Sequence, residues 1–313
     1  MSNYQFNYLE NFKCSANNCK RTCCAGWEIF IDKKTIKQYK KFAKKDARFL
    51  SFVDYNEKKF ILKEGKRCPF LNKTGLCDII TELGEDNICQ VCTDHPRFRN
   101  FIGNRVETGL GFACEQAVKI VLDFDKEIFP VQVGKKRKDR FNSKQKLLLD
   151  RRKEVVQILY SKESNIDERL KKVCKYCNTD LRYLNARNFK NEFLSLERLD
   201  CSWTEKLEFA FNTDILDDNL SVESEWCLTQ FAVNSVYRHS LEVQDETEFK
   251  VGVCLAVLLV DLAKKILLLK GVDRENLYNI VLEISLEAEY SKENVDKIRT
   301  AIMEKVPLFL DFE

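Results

Sequence analysis

The chain has 313 residues, 44% of them hydrophobic and 32% charged, with 4 Pro and 10 Gly. That length and balance suit one large or two ordinary globular domains with a real core, and they exclude a disordered or low-complexity chain. A net charge of +3 is small for a nucleic-acid binder, so no nucleic-acid partner is expected. One local excess, ten Lys/Arg between Lys135 and Lys153 against Asp139 and Asp150, reads as a solvated linker and helix face.

The start, MSNYQFNYLENFK, lacks a basic region followed by an apolar core, so no signal peptide is expected. Further on, WEIFID (27–32) alternates as a short strand would, and Asp32 is placed to cap a helix carrying Ile36, Tyr39 and Ala43. KFIL (59–62) reads as another short strand, and Lys73–Gly75 as a turn. Val106 to Phe112 looks irregular. A helix then begins near Ala113, with Cys114, Ala117 and Val121 on its inner face. FPVQVGKKRKDR (129–140) carries Pro, Gly and a basic run, which marks a boundary.

Beyond that boundary the pattern is helical. Leu148, Val155, Val156 and Leu159 form one stripe, and Leu228, Phe231, Ala232, Ser235 and Val236 another. Leu277, Ile280, Val281 and Ile284 form a third, and Val295, Ile298 and Ile302 a fourth. The run Val253 to Val260 is interrupted by Asp261, too short for the ~18–20 apolar residues of a membrane span, and predicts a buried helix. The expected fold is mainly α with minor β. A Cys-rich mixed module at 1–125, with short strands, joins through a linker at 126–145 to a helical domain at 146–313. Trp203 and Trp226 are expected in the core.

Fourteen cysteines without an export signal point to a reducing, cytoplasmic setting, where crowded thiols bind metal or do chemistry. Nine of them lie between Cys14 and Cys114, as Cys14-x4-Cys19-x3-Cys23-Cys24, Cys68-x8-Cys77, Cys89-x2-Cys92 and Cys114. Gathering thiolates costs charge repulsion and desolvation, which a soft or borderline metal relieves. Zinc modules usually show two clean CxxC or CxxH knuckles, whereas only Cys89–Cys92 has that spacing here. The irregular spacing favours an iron–sulfur cluster over zinc. The radical S-adenosylmethionine signature CxxxCxxC is not met, because Gly26 stands at its third position. Cys174-x2-Cys177, a lone pair at a helix end, reads as structural.

The stretches CSANNCKRTCCAGWEIFID, CPFLNKTGLCDIITELGE, CTDHPR (92–97), GFACEQAVKIVL (111–122), LERLDCSW (196–203) and FAVNSVYRHSL (231–241) resemble the flagellin lysine N-methylase family. The resemblance implies methyl transfer from S-adenosylmethionine to lysine ε-amines of flagellin or a similar surface protein. It also implies an iron–sulfur cluster, [4Fe–4S] in type, with zinc as the alternative. Carried over by position, the metal cysteines are Cys14, Cys19, Cys23, Cys24, Cys68, Cys77, Cys92 and Cys114. The family pattern has a small polar residue at the place of Cys89, which the resemblance therefore leaves out. Eight thiols exceed the four that one such cluster takes. Tyr237, Arg238, His239 and Arg97 are the catalytic candidates; adjacent helical positions should send the first three in different directions. No Gly-rich cofactor loop follows a strand. The competing reading is a non-enzymatic iron–sulfur or zinc module for electron transfer or protein docking.

Overall fold

The computed structural model of the chain describes residues 1–213, 219–241 and 245–308. Its strands are β1 (Ser2–Phe6), β2 (Val53–Asp54), β3 (Lys59–Phe60), β4 (Arg97–Ile102), β5 (Arg105–Leu110) and β6 (Pro130–Gln132). The chain divides into two compact units. One is Lys13–Arg97; the other joins Met1–Phe12 to Phe98–Glu313. Each has its own apolar core. The architecture is mainly α with minor β, as expected.

The division differs from the expected boundaries at 125 and 146, and strand pairing explains why. β1 pairs in parallel with β5, Ser2 opposite Arg105, and antiparallel with β6, Tyr4 opposite Gln132. The sheet order is β4-β5-β1-β6. The amino terminus and the expected linker are thus two strands of the sheet that packs with the helices. The stretch taken as irregular, 106–112, contains most of β5. Gly109 is needed there: a Cβ would sit 2.5 Å from the Phe98 ring and 2.8 Å from that of Phe6. Glu107 hides the alternation, because it is a buried carboxylate rather than an outward one. It is held by both Arg152 guanidinium nitrogens, each at 2.8 Å, and by Arg105 at 2.6 Å. Burial pushes its pKa up, but the charge and hydrogen bonds of Arg152, with help from Arg105, leave it lowered.

In the Lys13–Arg97 unit, α1 (Lys33–Phe42) begins where expected. Asp32 accepts from the Lys34 and Thr35 amides. WEIFID keeps its alternation, Ile29 and Ile31 inward and Phe30 outward, but makes only an isolated bridge from Phe30 to Lys59. Three short helices follow: α2 (Arg48–Ser51), α3 (Asp78–Leu83) and α4 (Gln90–Asp94).

The second unit carries α5 (Glu115–Leu122), α6 (Ser143–Leu159), α7 (Ile166–Tyr176), α8 (Lys190–Leu194), α9 (Ser202–Asn212), α10 (Val222–His239), α11 (Glu246–Lys270), α12 (Arg274–Ile284) and α13 (Lys292–Lys305). Side chains cap most of the long ones: Asn142, Asn165, Ser221, Asp245, Asp273 and Ser291 each accept from a first-turn amide. All four predicted stripes are buried. The apolar run 253–260 lies inside α11, which is covered by α10, α12 and α13. Among the described residues no helix is long and apolar enough to cross a membrane. Tyr8 ties the sheet to α10: its hydroxyl donates to Asn234 Oδ1 at 2.6 Å and accepts from the Leu110 amide.

α11 reaches the end of α10 at Gly252, where a Cβ would stand 2.2 Å from the His239 carbonyl oxygen. Backbone cannot yield as a side chain does. Gly252→Ala is expected to destabilise the protein by about 1–3 kcal/mol, read as a lower urea midpoint with unchanged slope.

Candidate functional site

The nine crowded cysteines that sequence spacing singles out divide between the units. Cys14, Cys19, Cys23, Cys24, Cys68, Cys77, Cys89 and Cys92 belong to the Lys13–Arg97 unit, whereas Cys114 is the N-cap of α5 and packs on the core of the other unit.

Within the smaller unit, local backbone chemistry assembles the thiols. The Cys68 amide donates to the Cys24 carbonyl at 2.7 Å, and the Gly26 amide to the Lys66 carbonyl at 3.1 Å, so 24–26 runs beside 66–68. Asn72 Oδ1 then gathers the amides of Thr74 and Leu76, each at 3.0 Å, folding the turn that Gly75 completes at φ +81°. That turn brings Cys77 back opposite Leu71. Cys89 is the N-cap of α4, and Cys92 lies one turn in, with the two sulfurs 3.4 Å apart. Asp32 anchors this corner as well as α1, accepting from the Gln90 amide at 3.0 Å.

Five sulfurs share one apolar shell. Cys68 and Cys89 are buried, and Cys24, Cys77 and Cys92 are half-buried against the same core as Tyr39, Phe49, Phe60 and Phe70. They are near enough to feel each other's charge. Burial, then the neighbouring Cys24, Cys77 and Cys89, push Cys68 up to about 12. A hydrogen bond from the Cys23 thiol leads the causes that bring Cys24 down to about 7. The sulfur–sulfur hydrogen bond between Cys89 and Cys92 leads the causes that lower Cys89 and raise Cys92. Burial and then the charges of Cys89, Cys92, Cys77 and Cys68 raise the Tyr39 hydroxyl.

This donor set is chemically suited to a thiophilic ion: soft ligands, mutual repulsion that a cation would remove, and an apolar wall. The thiols are not closed on one point, since among the described residues no three His, Cys, Asp or Glu side chains are arranged to hold a metal. Cys14 is exposed, its sulfur accepting from the Ala16 amide at 3.4 Å, and Cys19 and Cys23 are on the same loop. Cys89, which the family pattern leaves out, lies in the same shell as Cys24, Cys68, Cys77 and Cys92.

The catalytic candidates are all engaged. Tyr237 is buried, with its ring 4.6 Å from that of Phe6 and 4.8 Å from the Arg152 guanidinium carbon. Arg238 and His239 do not diverge as adjacent positions should, because the long Arg238 side chain bends back to the same acid. His239 Nε2 lies 2.6 Å from Glu289 Oε1, and Arg238 Nη1 3.5 Å from Glu289 Oε2. Glu289 closes a π turn, Ser285–Glu289, fifty positions away in sequence, and periodicity gives no hint of it. Arg97 donates to the Thr93 carbonyl at 3.2 Å. Cys174 and Cys177 are core residues, as is Cys254. Trp203 is in the core as expected, but Trp226 is only half-buried.

The chain is 29% identical to the flagellar biosynthetic protein FliU of Salmonella muenchen over 129 residues, 37% of this chain and 74% of FliU. It is 27% identical to the lysine-N-methylases of Salmonella choleraesuis and Salmonella typhimurium over 129 residues, again 37% of this chain. Over that stretch the chain is similar to proteins named lysine-N-methylase and FliU. It spans 31% of the length of each of those two methylases. No family model and no solved structure matches it.

Glu289 gives a pH test. Burial would raise its pKa, but the Arg238 charge and the His239 hydrogen bond prevail and hold it at about 2 against an ordinary 4.5. A depressed carboxyl lends stability that is present above the ordinary value and lost as pH falls toward about 2. Glu289→Gln is expected to unfold at lower urea than the parent at pH 7, with the gap narrowing steadily between pH 4.5 and 2.

Proposed function

We propose that the protein transfers methyl groups from S-adenosylmethionine to lysine ε-amines of flagellin or a similar surface protein, and that its thiol pocket holds the iron–sulfur cluster this activity requires. The observation that supports this most is the pairing of two facts: relatives named lysine-N-methylase and FliU, and a cluster of five thiols in one apolar shell. Three or four of Cys24, Cys68, Cys77, Cys89 and Cys92 would hold the cluster, with the exposed loop of Cys14, Cys19 and Cys23 beside them in sequence. An iron with an open position would take the amino and carboxylate groups of S-adenosylmethionine; zinc in the same pocket would be structural.

The reaction is a displacement at the sulfonium methyl carbon. A C–N bond forms, the C–S bond breaks, S-adenosylhomocysteine leaves and the amine loses a proton. Lysine must reach the methyl group neutral, against an unperturbed pKa of ~10.4, so the site has to desolvate it. Holding nitrogen, carbon and sulfur in line supplies much of the rate.

The test is incubation of the metal-loaded chain with methyl-labelled S-adenosylmethionine and unmodified flagellin, read by mass spectrometry. Label on lysine Nε is expected. A filled metal site with no label on any lysine would reject methyl transfer and leave a docking or electron-transfer module. Cys68→Ser and Cys89→Ser are expected to lose most of the bound metal and the activity together.

A further inference from the structure

A cleft of about 550 Å³ opens in the helical unit beside the carboxyl end of α5, the first turns of α10 and the start of α12. Its size is that of a small-ligand site. One wall is aromatic. Trp226 and Tyr160 lie with ring centroids 5.8 Å apart. Both rings are fixed from behind: Trp226 Nε1 donates to the Phe124 carbonyl at 2.9 Å, and the Tyr160 hydroxyl donates to Gln230 Oε1 at 2.7 Å.

The rim is acidic. Asp123 and Glu223 are both claimed by Arg274, and Asp123 also accepts from the Tyr278 hydroxyl. Asp125 and Glu127 line the same cleft, are exposed, and have no side-chain partner among the described residues. Lys162 is the other cation of the lining. Four carboxylates therefore face two cations, of which one is already shared by two acids. Such a surface repels anions. It does not suit a bare divalent ion either, since its carboxylates do not converge as a metal site. A fixed indole beside unpaired carboxylates suits an ammonium group on an apolar stem, the stem along the ring and the charge at the acids.

We propose that this cleft binds a lysine side chain of the polypeptide substrate, its ammonium paired with Asp125 and Glu127 and its methylenes laid against Trp226. This rests on lysine being the acceptor class proposed above; the cleft holds the charged side chain for recognition, and the proton is lost only where the amine meets the methyl group. It locates substrate recognition in the helical unit and gives Trp226 a role beyond packing.

The probe is the capped peptide acetyl-Gly-Ala-Lys-Ala-Gly-amide, titrated into the full chain and followed by tryptophan fluorescence, with the norleucine peptide as the uncharged control. The lysine peptide is expected to give a saturable change that weakens with salt and vanishes in Trp226→Phe. The norleucine peptide should give none. In the exposed double variant Asp125→Asn/Glu127→Gln the dissociation constant should rise about tenfold or more. Equal response to both peptides, no response at all, or unchanged affinity in the double variant would overturn the proposal. The labelled-methyl assay on the same variants separates the two readings. Unaltered affinity with normal lysine labelling removes the cleft alone. Charge-dependent binding without labelling removes methyl transfer and leaves the cleft.

Discussion

One backbone hydrogen bond organises the candidate site: the Cys68 amide to the Cys24 carbonyl, 2.7 Å long. It joins a loop of crowded cysteines to a segment more than forty positions later, and the turn, α3 and α4 that carry the other thiols build outward from it. A buried amide without its acceptor is costly, so the bond fixes which sulfurs become neighbours. The Phe49, Phe60 and Phe70 rings then close the shell around them. The same low-dielectric surroundings that make the thiols raise one another's pKa would strengthen their hold on a cation.

The two units place their polar chemistry differently. In the smaller one, buried and half-buried titratable sulfurs sit with neighbours of their own kind. In the larger one, two buried carboxylates are paired with cations: Glu107 with Arg152 and Arg105, Glu289 with His239 and Arg238. Breaking a paired buried charge is strongly destabilising, so these groups have the character of fixed structure. Asp125 and Glu127 lie instead on the open rim of the Trp226 cleft, where a ligand can reach them. On the functional reading proposed here, cofactor chemistry and substrate recognition draw on separate parts of the sequence.

What could be read from the sequence follows from how local each signal is. The Asp32 cap, the turn before Gly75 and the four helical stripes depend on residues a few positions apart, and all are present. β1, β5 and β6 depend on pairing across roughly a hundred positions, and β5 hides its alternation behind a buried glutamate whose arginine partner lies on α6. That is why 126–145 looked like a linker. The nearness of Cys89 to Cys92 is likewise local, since three positions on one helical turn bring the two sulfurs to 3.4 Å. Glu289 was out of reach because only the fold brings a π turn against the last turn of α10.

The account stands on the thiols of the Lys13–Arg97 unit gripping an inorganic centre. X-ray absorption at the edge of whichever metal the anaerobically purified chain carries tests this most directly. A sulfur-dominated first shell, lost in Cys89→Ser/Cys92→Ser, is the predicted result. A shell of oxygen and nitrogen, or a sulfur shell indifferent to that double substitution, would contradict it.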